Sequence, residues 1–128
     1  MSAPPAPQPW PTEIRLRKAE KILEVTFDDG SSFRIPAELL RVESPSAEVQ
    51  GHGPSQKTLV PGRRHVGILE VEPVGNYAVR LAFDDLHDTG IYTWAYLHHL
   101  GRNQERIFRD YVDALAAKGL SRDPPKRG

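Results

Sequence analysis

The sequence contains no cysteine among its 128 residues. That excludes a disulfide framework, thiolate zinc ligands, cysteine-ligated iron–sulfur clusters and a cysteine nucleophile. No apolar run approaches the length of a bilayer span, and the N-terminus lacks the apolar stretch of a secretory signal. Neither sign of charge is in excess, with 17 basic side chains against 17 acidic ones. A dedicated nucleic-acid binder draws much of its affinity from phosphate neutralisation, so this balance argues against that class while leaving room for a local basic patch. Walker phosphate loops, Rossmann glycine fingerprints, nucleophile elbows and His-Glu-x-x-His zinc helices are all missing. The expectation is a soluble cytoplasmic domain, a binding or interaction module rather than an enzyme.

Proline, by contrast, is plentiful. Residues 1–11 hold five of the twelve prolines and predict an extended tail, with Trp10 its one large apolar side chain. Residues 120–128 are polar, basic and proline-containing and predict a frayed end. Between them, residues 12–119 predict one domain. Glu13–Lys18 and Ile22–Phe27 alternate apolar and polar side chains as strands do, and Asp28-Asp29-Gly30 predicts a hairpin turn into a third strand, Ser31–Ile35. Pro36 suits the first turn of a short helix over Ala37–Arg41. Glu43–His65 reads as a long loop. Strands return at Gly67–Glu72, Tyr77–Phe83 and Ile91-Tyr92. Thr93 predicts the cap of a short helix ended by Gly101, and Asn103 the cap of a second helix. In that second helix Ile107, Phe108, Tyr111, Val112 and Leu115 form an apolar stripe, and Gly119 ends it. Residues 22–40 and 78–97 share one order of strand, Phe-Asp-Asp turn, strand and helix. The fold class is therefore α+β: small antiparallel sheets from two duplicated β-β-β-α units, plus a C-terminal amphipathic helix.

Several side chains invite a chemical reading, each beside a plainer one. Asp28-Asp29 and Asp84-Asp85 are paired carboxylates, but adjacent turn residues diverge and aspartate is a turn former. His87, among Asp84, Asp85 and Asp88, and His52, between two glycines, could supply a weak metal site; solvated or hydrogen-bonded histidines are the plainer reading. Lys57, Arg63, Arg64 and His65 form a weak candidate patch for an acidic partner, against a solvated face. His98-His99 suits the C-terminal end of a helix. Trp94 and Tyr96 read as packing residues, and Trp10 as an anchor able to dock in a groove.

Two strings carry a resemblance: Leu40–Gly53 (LRVESPSAEVQGHG) and Val71–Gly101 (VEPVGNYAVRLAFDDLHDTGIYTWAYLHHLG). Over roughly residues 12–101 the chain resembles the gamma-butyrobetaine hydroxylase-like N-terminal domain, known in bacteria as a stand-alone domain of unknown function. In the carnitine-pathway dioxygenases this domain precedes a jelly-roll domain that carries the iron and 2-oxoglutarate site, which has no counterpart here. The resemblance also implies a zinc site of three loop cysteines and one histidine. The matching positions are Ser44, Ser46, Val49 and His87, so zinc is not expected and no cofactor is assigned. Similar domains are fused to P-loop ATPases of iron–sulfur cluster assembly. That implies a protein partner and an accessory role in iron–sulfur or metal-cofactor metabolism. The alternative is a metal-binding protein or metal-dependent enzyme using His52, His87 and the nearby carboxylates.

Overall fold

The computed structural model describes residues 9–51 and 57–125. Its elements run β1 (Pro11–Arg17), β2 (Ile22–Phe27), β3 (Ser32–Pro36), α1 (Ala37–Val42), α2 (Ala47–Gln50), β4 (Ile68–Val74), β5 (Ala78–Phe83), β6 (Gly90–Thr93), α3 (Trp94–Arg102) and α4 (Gln104–Ala117). The strands form two three-stranded antiparallel sheets, β1-β2-β3 and β4-β5-β6. Alternation decides their faces: Leu23, Val25 and Phe27 of β2 are buried, as are Leu81 and Phe83 of β5. These side chains meet Leu39, Leu40, Tyr92, Leu97 and Leu100 in one core. A smaller cluster of Val42, Val49, Val60, Tyr111 and Leu115 joins α4 to the loop that follows α1.

The duplication holds down to single hydrogen bonds. In the first turn the Phe27 amide donates to the Ser31 carbonyl, and in the second the Phe83 amide donates to the His87 carbonyl, both at 2.9 Å. Asp29 Oδ1 accepts from the Ser31 amide at 2.9 Å and Asp85 Oδ1 from the His87 amide at 3.1 Å. Gly30 and Leu86 occupy the same left-handed position, at φ +87° and +73°. Even the bulges repeat, between Pro11 and Glu13 in one sheet and Ile68 and Glu70 in the other. The two units exchange contacts reciprocally. Asp29 reaches His98 on α3, and Asp85 reaches Arg41 on α1.

Four local expectations need correction. Strand β1 starts at Pro11 rather than Glu13, and Trp10 is tied to Asp28 through both backbone groups. Proline at an edge strand needs no ladder partner, so the proline-rich sequence does not prevent pairing. The C-terminal segment is not frayed over Ser121–Asp123: the Gly62 and Arg64 amides donate to the Ser121 and Arg122 carbonyls. Its cause is Glu38, a buried carboxylate that needs a cation and receives the Arg122 guanidinium through bonds of 2.8 and 2.6 Å. Gly101 does not end α3. It lies within the helix because a Cβ there would sit 2.4 Å from Phe33 Cγ. Asn103 places its amide on the His99 carbonyl, closing α3 instead of capping α4. Thr93 does cap α3, accepting from the Tyr96 amide at 3.2 Å. Gly119, at φ +67°, stops α4 as expected, with the Leu120 amide reaching back to the Leu115 carbonyl.

Candidate functional site

The loop after α1 folds back over the second turn. Ser46 caps α2 by accepting from the Glu48 amide at 3.2 Å, and this short helix turns Glu48 and Ser44 towards His87. His87 Nε2 lies 2.9 Å from Ser44 Oγ, and its Nδ1 lies 3.1 Å from Glu48 Oε2. Ser46 Oγ is 2.8 Å from Thr89 Oγ1. The Ser44 carbonyl accepts from Gln50 Nε2 at 2.8 Å. Beneath this cluster Asp85 Oδ2 accepts from Arg41 Nε at 2.7 Å and Arg63 Nε at 2.6 Å. Burial acts to raise the Asp85 carboxyl. The His87 amide and the Arg41 guanidinium outweigh it and hold the group below its ordinary value.

Serine, histidine and glutamate in series have the geometry of a nucleophile, a base and an orienting acid. Access denies the chemistry. Ser44 is 0% exposed, and Gly90 lies so close that a Cβ on it would be 2.5 Å from Ser44 Oγ. The His87 side chain is 2% exposed with both ring nitrogens in hydrogen bonds. No substrate reaches this serine, and the cluster pins the loop to the second turn.

The chemistry of the same cluster does not suit zinc. Neutral hydroxyls are poor zinc ligands, and Val49 supplies no donor and packs in the smaller apolar cluster. Among the described residues no three histidine, aspartate or glutamate side chains gather as a ligand set. The residues present therefore do not fit the four-ligand site that the resemblance implies. His52 lies outside the described residues. Asp84 and Asp88 are exposed at the turn, while Asp85 is engaged by the two arginines.

The cations of the candidate patch are each met by an acid of the same chain. Lys57 pairs with Glu43, Arg63 with Asp85 and Arg64 with Asp123. They do not form an uncompensated basic face. His98 is held by Asp29 at 2.9 Å and set edge-on to Phe27 and Phe33. The Ser31 hydroxyl and amide, then His98, pull the Asp29 carboxyl down to about 2. Trp94 donates to the Asn76 carbonyl and meets Trp10 edge-to-face at 6.2 Å.

Sequence reasoning did not single out a groove of about 590 Å³ bounded by α3, α4 and residues 57–60. Its floor is Leu59, Val60, Leu100, Ile107 and Tyr111, and Arg106, Asp110 and Lys118 stand on its rim. Tyr111 donates to the Val60 carbonyl at 2.5 Å, and Tyr96 donates to the Glu43 carbonyl. Burial pushes the Tyr111 phenol up to about 12 and raises that of Tyr96. The helical stripe of α4 is the one signal that bore on the groove. It does not show that the stripe leaves part of its width uncovered.

Two duplicated β-β-β-α units, closed by a C-terminal helix and bridged by a histidine-centred loop, define a class of small α+β domain. The chain belongs to the gamma-butyrobetaine hydroxylase-like, N-terminal family, whose model matches residues 14–98. A solution NMR structure with 46% sequence identity aligns over 94% of this chain and 95% of that one, with a TM-score of 0.81. A second NMR structure, 43% identical, covers 100% of this chain and 96% of its own, with a TM-score of 0.80. A 1.93 Å crystal structure of a protein of unknown function from Acidithiobacillus ferrooxidans, of the DUF971 family, is 44% identical. It covers 71% of this chain and 91% of that one, with a TM-score of 0.60. No curated protein matches the chain. Among the described residues no helix is long and apolar enough to cross a membrane.

Proposed function

We propose that the chain is a non-catalytic binding module whose ligand-bearing face is the groove between α3, α4 and residues 57–60. The observation that carries this reading is the groove itself: an apolar floor of about 590 Å³ under a charged rim. That is the size and lining of small-molecule sites in general. The sealed Ser44–His87–Glu48 series supports it from the other side, because this constellation, which has catalytic geometry, is closed to substrate. By family association the module serves iron–sulfur or metal-cofactor metabolism as an accessory, with a protein partner.

The test is a fragment screen followed on backbone amides by two-dimensional NMR. Hits should perturb residues 57–60, 96–100 and 106–118 together. Hits scattered over the surface, or gathered elsewhere, would overturn the assignment of this face.

A further inference from the structure

We infer that this groove takes an amphipathic anion, its apolar body on the floor and its charged head at the α3–α4 corner; the inference rests on the binding reading above. Several polar groups of the walls are already satisfied. Glu43 is paired with Lys57, its carbonyl takes the Tyr96 hydroxyl, and the Val60 carbonyl takes the Tyr111 hydroxyl. A ligand body here therefore meets few unmet hydrogen bonds and gains by covering Leu59, Leu100, Ile107 and Tyr111.

Charge decides the rest. Arg106 lines both the groove and an adjoining hollow of about 540 Å³, whose walls include Arg102, Arg106 and Arg109. Glu105 is the one acid lining that hollow. Arg41, Arg63, Arg64 and Arg122 are each held by a carboxylate. The three arginines of the corner have no such ion pair among the described residues and are exposed; Arg106 stands on the rim of the groove, and all three line the hollow beside it. A cationic head would be repelled there, a neutral head would gain nothing, and a carboxylate or sulfonate would be attracted. Asp110 lies one turn along α4 from Arg106, on the groove side. It disfavours an anionic head further in, so the head belongs at the corner and the body in the groove. Lys118, the C-cap residue of α4, lines the groove twelve residues along the helix from Arg106.

The experiment uses the whole chain and three probes with one tail: octanoate, octylammonium and octyl glucoside, each below its micelle concentration. Binding is followed by NMR shift mapping and by displacement of 8-anilinonaphthalene-1-sulfonate. Octanoate should perturb residues 57–60, 96–100 and 106–114. It should bind about fivefold more tightly than octylammonium, as an exposed charge contribution of about 1 kcal/mol gives. Arg102→Glu with Arg109→Glu, which line the hollow and not the groove, should reverse that preference and leave octyl glucoside binding unchanged. Ala114→Trp should fill the groove and weaken all three probes; if that variant misfolds, the probe series on the unmodified chain still decides. Equal binding of the three probes in the groove would overturn the anion inference and leave the binding reading standing. No binding of any probe in the groove would overturn both.

Discussion

Asp85 receives two guanidiniums on one carboxylate oxygen and the His87 amide on the other. The Arg41 side chain beneath it is 10% exposed, and its Nη1 is buried without a partner among the described residues. The carboxylate is thus the main compensation for a buried cation. Asp85→Asn keeps an acceptor of the same shape and removes the charge. It should cost about 3 kcal/mol in urea unfolding at neutral pH, because an unpaired charge is left inside. The pH dependence follows from the depressed folded-state value. Stability from this group is present above the ordinary carboxylate value of 3.8 and is lost as pH falls through the lower folded value. The gap between the parent and the Asn variant should narrow below that range, and a gap constant down to pH 2 would show that Asp85 is not its source. Leu86 lies in the same turn at φ +73° and is 85% exposed, where the first unit has Gly30. A leucine there bears the cost of the left-handed region and buries nothing in return. Leu86→Gly should raise stability by about 1 kcal/mol, the relief being partly offset by the freer unfolded chain. A loss on thermal melting would mean that the Leu86 side chain contributes packing and would overturn this account of the turn.

Elements meet across the pseudo-repeat through two close approaches. Gly101 on α3 admits the Phe33 ring of β3, and Gly90 of β6 admits the Ser44 hydroxyl. For Gly101→Ala two effects oppose. Alanine in a helix interior gains up to about 1 kcal/mol over glycine. The new Cβ, however, would lie 2.4 Å from Phe33 Cγ and 2.8 Å from its Cβ, deep enough that the strand must shift. Overpacking of this kind costs about 1–3 kcal/mol, so sterics should win and the variant should be less stable. Phe33→Leu in the same chain should recover part of the loss, and a double-mutant cycle with no coupling would refute the contact. This glycine also shows where sequence reading failed. Read along the chain, Gly101 followed by Asn103 resembles a helix stop. Only the fold reveals that it makes room for a ring some seventy residues away. Gly119, whose role is local, was legible, as were the Thr93 cap and the apolar stripe of α4.

At the scale of the whole molecule, the duplicated units were legible because strand alternation and Phe-Asp-Asp turns are short-range signals. The pairing of Ser44 with His87 was indicated only by resemblance. The roles of Glu48, Thr89 and Arg41 were invisible, since each depends on how the loop after α1 folds over the second turn. Polarity misled at the C-terminus, where Arg122 answers a buried Glu38 and stacks over Phe108 at 4.8 Å. These long-range polar ties bear on how the fold holds without thiolates. The loop is fastened by Ser44 and Glu48 to His87, by Ser46 to Thr89, and by Val49 in an apolar cluster with Tyr111 and Leu115. Each fastening is complete without an ion, and a structural zinc needs four protein ligands that Ser44, Ser46, Val49 and His87 do not supply. The purified protein should therefore carry no near-stoichiometric zinc after dialysis, and its thermal midpoint should be unchanged in a strong chelator. His87→Ala, by contrast, should lower that midpoint in metal-free buffer, because it leaves the buried Ser44 hydroxyl with the Ser46 amide but without its imidazole partner, at a cost of about 1 kcal/mol or more. Bound zinc near one equivalent, or a melt that collapses with chelator, would show that the loop is held by metal. A His87→Ala melt matching the parent would show that the hydrogen-bonded series fastens nothing.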